Sequence, residues 1–365
     1  MKCHLSRSTG EAAVGMFFKS KKVIGLDIGT SSIKLAEMDV SGKGAQLLSF
    51  GFAPTPPNSV MGGEINDIAS VGMAIQALVA EVGSKRKIAS TAMWGTAVIV
   101  KKITIPRIDK KLIKDQIRFE AEQYIPFDIN NISLAHHILN SSSSPDTMDI
   151  LLVAAQNELV LQYTQAIEMT GLSCGVLDVS GFALANSFEM NYGRLPETIG
   201  LLNFGAAITN FVVIQRGEVI FCRDIPVGGA NYTNEIHKAM GVTMAEAEAL
   251  KLSAVSRREV PDEVHSIISA TNEAVTEEIR SSLDFLSATT NGITLNRCFY
   301  TGGSSGTSGL VETVSRVTGI PMELFNPFIK VKANPKKFSP EYLQQISSFA
   351  GVVTGLASRV QGDET

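Results

Sequence analysis

The chain has 365 residues, of which 44% are hydrophobic, and its formal net charge is -4 at pH 7. This apolar content is enough for two lobes with separate cores, and the near-neutral charge gives no global attraction to nucleic acid or anionic lipid. The four cysteines are isolated, without metal-ligand spacing or the density of a disulfide scaffold, which favours reduced thiols. No stretch reaches the roughly 20 apolar residues of a membrane span, so we expect a cytoplasmic protein that reaches a membrane only through partners.

The amino-terminal part predicts a leader followed by a β-meander. Residues 1–21 have no continuous apolar region and are expected to be flexible. Three strand-like runs then alternate with glycine-containing turns. A helix that stops at Gly83 follows, because apolar residues from Ile68 onward recur at helical spacing. The strand-like runs are Val23–Asp27, Ser32–Val40 and Ala45–Ala53.

A block with its own alternation of strands and helices interrupts the first lobe. Its first helix, Asp109–Tyr124, lies between Pro106 and Pro126, and its apolar residues form one stripe that can pack on a small sheet. We therefore expect an inserted subdomain over residues 97–174. Its predicted strands are Val98–Ile105, Ile132–Leu139 and Asp149–Ala155, with a flexible loop at Ser141–Ser144 and a second helix that ends by Gly171.

A duplicated motif is the strongest internal evidence for the architecture. Gly25–Ser32 and Leu201–Ile208 both read as an apolar strand, Asp or Asn, an apolar residue, Gly and then small residues. Each copy continues through a second strand and a glycine-containing turn into a third strand. Two copies of one β-meander imply two similar lobes that face each other.

The glycine turns have the chemistry of a polyphosphate site. A glycine in a tight turn lets backbone N–H groups approach an anion with no Cβ in the way. Hydroxyls at Thr30, Ser31 and Thr209 would add donors, and Asp27 could hold Mg²⁺ through water. A third glycine-rich turn, Thr301–Gly306, permits close approach of a base or ribose. No G-x-x-x-x-G-K-[ST] occurs, so phosphate would be bound without a P-loop.

These turns resemble the phosphate-1, phosphate-2 and adenosine motifs of the actin-fold ATPases, at Asp27–Lys34, Asn203–Thr209 and Thr301–Ser305. The resemblance extends from Lys22 to Arg359. It implies an α/β, two-lobed actin-like (ribonuclease H-like) ATPase fold with an inserted 1C subdomain, as in the cell-division protein FtsA. Within that superfamily, the segments that resemble the PilM family of type IV pilus assembly are Arg118–Phe127, Phe221–Gly229, Gly302–Ser305 and Asn326–Phe328.

The resemblance also implies a division of the chain. The first lobe (1A) is expected over residues 22–96 and 175–196, with the 1C subdomain inserted between them. The second lobe (2A) is expected over residues 197–233 and 298–359, subdomain 2B over 234–297, and a tail over 360–365.

ATP and Mg²⁺ are the cofactors that the resemblance implies, bound between the lobes. Glu248 would accept hydrogen bonds from ribose hydroxyls, Lys251 would lie near the base, and Asp27 would act on the metal. The expected nucleotide contacts are Gly29, Thr30, Ser31, Lys34, Gly205, Ala206, Ala207, Thr209, Gly229, Glu248, Lys251, Gly302, Gly303 and Ser304.

Two further residues bear on turnover. Asn203 stands where many active members carry Asp, and a neutral amide is a poorer partner for the metal's water shell and for attacking water, so we expect at most slow hydrolysis. Asp178 lies on the strand that returns to the first lobe. It is either a water-positioning group or the cap of the helix that follows.

The function that the resemblance implies is a nucleotide-dependent scaffold of pilus assembly, peripheral to the inner membrane, that binds the cytoplasmic amino-terminal peptide of PilN. Other pilus platform proteins, the motor ATPases and a second copy of the chain stay open as further partners. One alternative is a phosphotransferase such as a sugar kinase, against which Asn203 weighs. Another is FtsA-like filament formation. FtsA ends in an amphipathic membrane helix, whereas this sequence has only Val-Gln-Gly-Asp-Glu-Thr after Arg359.

Overall fold

The computed structural model of the protein describes residues 22–42, 44–109, 111–140, 144–290 and 292–362. The expected leader lies outside the described residues, as do most of the predicted Ser141–Ser144 loop and residues 363–365 of the expected tail. The strands are β1 (Ile24–Ile28), β2 (Ser32–Ser41), β3 (Gly44–Pro54), β4 (Val60–Met61), β5 (Glu64–Ile65), β6 (Ile88–Met93), β7 (Val98–Pro106), β8 (Ile132–Ile138), β9 (Thr147–Gln156), β10 (Ser173–Val179), β11 (Thr198–Phe204), β12 (Thr209–Gln215), β13 (Glu218–Ile225), β14 (Arg297–Thr301), β15 (Met322–Leu324) and β16 (Val331–Ala333). The helices are α1 (Ile68–Val82), α2 (Ile113–Tyr124), α3 (Asn157–Glu168), α4 (Ser180–Tyr192), α5 (Gly229–Met240), α6 (Met244–Val255), α7 (Asp262–Thr289), α8 (Leu310–Thr318), α9 (Pro340–Ser347) and α10 (Gly351–Ala357), with a short 3₁₀ turn at Ile129–Asn131.

Two central sheets repeat one arrangement. The first has the strand order β10-β6-β1-β2-β3-β16, and the second has the order β13-β12-β11-β14-β15. In each, the first strand of an antiparallel meander also pairs in parallel with a strand on its other side, β6 for β1 and β14 for β11. The three predicted strands of the first meander agree with the observed ones to within one residue at each end. The duplicated motif therefore predicted the duplicated architecture.

The inserted block forms a separate three-stranded antiparallel sheet in the order β7-β9-β8. Helix α2 packs Ile113, Ile117 and Ala121 on this sheet, as the apolar stripe predicted, and closes a small core of its own. The helix begins four residues later than expected. The end of β8 also reaches the second lobe, where Leu139 joins the core beside β11 and β12 and the Asn140 N–H donates to Glu218.

The carboxy-terminal part of the chain corrects one expected boundary. Residues after about 325 do not stay with the second lobe: β16 pairs in parallel with β3, and α10 packs against β1 and α4 of the first lobe. The assignment of all of residues 298–359 to the second lobe was wrong. The reason is that strand pairing between segments so distant in sequence leaves no local pattern to read.

The sequence led us to expect reduced cysteines and no membrane-spanning segment. The described cysteines, Cys174, Cys222 and Cys298, are free thiols, and the last two are buried. Among the described residues no helix combines the length and the apolar character needed to cross a bilayer.

The return of α10 to the first lobe can be tested at Gly355. A Cβ at this position would lie 1.7 Å from the carbonyl oxygen of Ala183 in α4. We expect Gly355→Ala to lower the free energy of unfolding by about 3 kcal/mol, although alanine by itself favours a helix by about 1 kcal/mol over glycine. Chemical denaturation measures the change.

The matched control is Gly42→Ala, since a Cβ there would meet nothing within 4 Å. Equal stability of the two variants would show that α10 does not contact α4 as closely as the structure indicates.

Candidate functional site

A cleft between the two sheets holds most of the predicted site residues. It contains about 1090 Å³ of space, part of it open to solvent. Turns from both lobes line it. The predicted residues that line the cleft are Asp27, Gly29, Thr30, Ser31, Lys34, Asn203, Gly205, Ala206, Ala207, Glu248, Lys251, Gly302, Gly303 and Ser304.

The first-lobe wall is the turn between β1 and β2. Asp27 and Lys34 lie directly opposite each other in the strand register, and the Lys34 ammonium lies 3.0 Å from a carboxylate oxygen of Asp27. The Gly29 N–H donates to the Ser32 carbonyl and closes the turn. The Thr30 hydroxyl is buried and has no hydrogen-bond partner among the described residues. A buried hydroxyl without a partner is costly, so this wall has an unused donor that fits an anionic ligand.

In the second lobe, two glycine turns and the start of α5 meet at one carbonyl group. The Gly205 oxygen accepts from the Gly229 N–H at 3.0 Å and from the Ser304 hydroxyl at 2.9 Å. Gly302 has φ = 103°, and a Cβ there would lie 2.3 Å from the Phe204 carbonyl oxygen. Only glycine fits such a close approach of two backbones. The phosphate-2 and adenosine turns are therefore one packed unit.

Helix α6 supplies the two predicted nucleoside contacts, which differ in their surroundings. The Lys251 side chain is 10% exposed, and its ammonium donates to the Gly229 carbonyl, the Thr233 hydroxyl and a Glu248 oxygen. Glu248 is 43% exposed at the cleft and keeps a face for a ligand. Lys251 thus ties α6 to α5 and orients Glu248.

Sequence reasoning missed the apolar walls of the cleft. The position of Phe349 at the cleft could not be predicted, because its segment was assigned to the wrong lobe. Leu252 and Val255 follow Lys251 on α6, and their position at the cleft could have been predicted from helical spacing. The missed apolar lining is Trp94, Ile208, Leu252, Val255, Phe349 and Val352.

Two predicted contacts lie behind the cleft surface. Thr209 is fully buried, and its hydroxyl donates to the Val227 carbonyl at 2.8 Å, so it is not available to phosphate. Gly229 starts α5, and a Cβ there would lie 2.5 Å from the Ser304 hydroxyl. Both residues shape the second-lobe turns, and neither is among those that line the cleft.

Asp178 is also absent from the cleft, and both interpretations of it were wrong. It is buried in the first lobe, where it forms an ion pair with buried Arg359 and accepts from the Val179 N–H at 2.9 Å. Helix α4 has no side-chain cap. Burial raises the pKa of the Asp178 carboxyl, and the Arg359 guanidinium opposes that shift.

A chain of polar side chains that begins at the cleft was not predicted as such. Asn203 donates to Asn210, Asn210 donates to Asp224, and Asp224 accepts from the Gly95 N–H of the first lobe, each across 2.7 Å. Burial raises the pKa of the Asp224 carboxyl, and the hydrogen bonds from Gly95 and Asn210 oppose the shift. The sequence feature that could have indicated it is an asparagine within each of two mostly apolar strands, Asn203 in β11 and Asn210 in β12.

The repeated meanders and the cleft between them define a protein of the actin-like ATPase fold. The ethanolamine utilization protein EutJ from Carboxydothermus hydrogenoformans resembles this chain in fold, with 16% identity over 94% of this chain and 90% of that chain and a TM-score of 0.56. The family model described as type IV pilus assembly protein PilM matches residues 25–361, and the chain belongs to this family. A solved PilM-PilN type IV pilus biogenesis complex contains a similar chain, with 28% identity over 92% of this chain and 97% of that chain and a TM-score of 0.83.

The structural role of Asp178 gives a testable expectation. Asp178→Asn removes the carboxylate that pairs with the buried Arg359, and breaking such a pair costs about 3–5 kcal/mol of unfolding free energy. The exposed pair of Asp39 with Lys22 provides the control, because Asp39→Asn should cost about 1 kcal/mol or less. Denaturation of the two variants that gave equal losses would contradict the structural role.

Proposed function

We propose that the cleft binds Mg-ATP and that the protein uses the nucleotide to stabilise a scaffold of type IV pilus assembly. The observation that supports this most is that glycine turns from both lobes line one cleft, with a buried, unpartnered Thr30 hydroxyl in the first-lobe turn. Backbone N–H groups and hydroxyls suit phosphate oxygens, and Lys34 would add positive charge.

The residues present fit the metal as well as the nucleotide. Asp27 offers a carboxylate at the cleft that suits the water shell of a Mg²⁺ ion, which retains several waters when bound through one or two carboxylates. The ion would neutralise phosphate charge when bound. Glu248 would accept from ribose hydroxyls, and the apolar surfaces of Leu252 and Phe349 would cover the base.

Slow turnover follows from the residue that faces this site in the second lobe. Asn203 carries no charge and does not act as a base toward water, so the protein would hold its nucleotide rather than consume it. A turnover number of about 1 per second or more, measured as phosphate release, would contradict a scaffold role.

The proposed partner is the amino-terminal peptide of PilN, through which the protein would reach the inner membrane. Support comes from the similar chain solved in a PilM-PilN complex. The inserted block also exposes apolar surface on α2, where Phe119 is 61% exposed, and the Lys101 ammonium lies 4.6 Å from the centre of the Tyr124 ring. Such a surface suits a short peptide with aliphatic side chains.

Mg-ATP binding is tested by calorimetry on metal-replete, nucleotide-free protein. We expect binding by the wild type and a loss of at least about tenfold in affinity for Asp27→Ala, which corresponds to about 1.4 kcal/mol. The carboxylate is lost from the metal's surroundings, while the core is unchanged. Asp39→Ala, an aspartate on the exposed end of β2, should bind as the wild type does. No binding by the wild type, or equal affinity for Asp27→Ala, would overturn the assignment.

The partner surface is tested by site-specific photo-crosslinking in cells. A crosslinker at Lys101 or Phe119 should capture PilN, because both positions lie on the inserted block. The control position is Glu277, exposed on α7 of the second lobe. Capture of PilN from Glu277 and not from the inserted block would show that the docking site is misplaced.

A further inference from the structure

The chain of polar side chains that begins at the cleft has a fixed direction. Asn203, Asn210 and Asp224 occupy directly opposed positions on β11, β12 and β13, so their side chains lie on one face of the sheet as cross-strand neighbours. The chain starts at the cleft, which Asn203 and Asn210 line, and ends at the Gly95 N–H, three residues before β7 of the inserted block begins.

The direction follows from the donors and acceptors available. Both oxygens of Asp224 accept a hydrogen bond, one from the Gly95 N–H and one from the Asn210 NH₂. Asn210 therefore presents its oxygen to Asn203. Asn203 must donate its own NH₂ to that oxygen, and its carbonyl oxygen is left over. No described hydrogen bond engages this oxygen, which belongs to a residue at the cleft surface.

We propose that Asn210 and Asp224 are positioning residues, which hold the Asn203 amide so that its carbonyl oxygen, and not its NH₂, faces the cleft. An oxygen there accepts hydrogen bonds from the water shell of a cation, whereas an NH₂ group would oppose it. The identity of the ligand rests on the Mg-ATP binding proposed above. The orientation of the amide rests only on the hydrogen bonds of the protein.

The hydrogen bonds from position 203 through Asn210 to position 224 also determine which residues can occupy positions 203 and 224. With Asn203→Asp alone, the single amide of Asn210 would lie between two carboxylates, and its oxygen would have to face one of them. With Asn203→Asp and Asp224→Asn together, every bond can form again, and only the two side-chain bonds change direction. The new amide at position 224 still accepts from Gly95 and donates to Asn210, which donates to the new carboxylate at position 203. This series of hydrogen bonds therefore accommodates one carboxylate, at position 203 or at position 224.

A comparison of four variants with the wild type, without nucleotide, tests this coupling. We expect the thermal unfolding midpoint to fall by about 3 °C or more for N203D, to change by about 1 °C or less for D224N, and to recover at least half of the N203D loss in N203D/D224N. N203D/D39N is the matched control and should show no recovery, because it removes a negative charge from an exposed site. Additive effects of N203D and D224N would overturn the proposal.

If N203D does not fold, recovery of folded protein in N203D/D224N is the same supporting result, and failure of both variants contradicts it. The second measurement is the affinity for ADP with Mg²⁺ and with EDTA. D224N lets the chain reverse and turns the Asn203 NH₂ toward the cleft, so the gain in affinity from Mg²⁺ should shrink about tenfold. An unchanged gain would contradict the proposal. A wild-type protein that binds no nucleotide would instead refute the proposed function, and the unfolding midpoints would still decide the coupling.

Discussion

The meeting of glycine turns at the Gly205 carbonyl is the contact on which the rest of the cleft depends. Its oxygen accepts hydrogen bonds from the Gly229 N–H at the start of α5 and from the Ser304 hydroxyl. The backbone of Gly302 packs against the backbone of Phe204 beside it. A Cβ at Gly229 or Gly302 would come within 2.5 Å of its neighbour, closer than real Cβ atoms approach. Side chains at these positions would force the turns apart, and Glu248, which Lys251 ties to Gly229, would move with them.

Features that are local in sequence could be predicted. The two meanders were visible because an apolar strand, a polar residue and a glycine turn recur in the same order, and the predicted strands agree with those observed. The positions of Asp27 and Asn203 in the cleft follow from the same repeat, since each is the second-last residue of the first strand of a meander. Glycine turns of this kind can be read because backbone approach depends on the residues of the turn alone.

Features that depend on side-chain direction or on distant partners could not be predicted. Thr209 follows a glycine turn, yet its hydroxyl meets the Val227 carbonyl instead of the cleft. Asp178 finds its counter-ion in Arg359, from the carboxy-terminal segment that returns to the first lobe. The bonds from Asn203 through Asn210 to Asp224 appear only once three strands are in register. Each of these outcomes is set by tertiary pairing, which the local pattern does not contain.

One ligand that contacts turns of both lobes at the same time would protect all of these turns from hydrogen exchange, so hydrogen exchange measures the shared site most directly. Full-length protein is compared with and without Mg-ATP, and exchange is followed at the backbone amides of residues 29–31, 205–207 and 302–304. We expect slower exchange in all three turns when nucleotide is present. Slower exchange in the turns of one lobe only, or in none of them, would show that the cleft is not a nucleotide site shared by the two lobes.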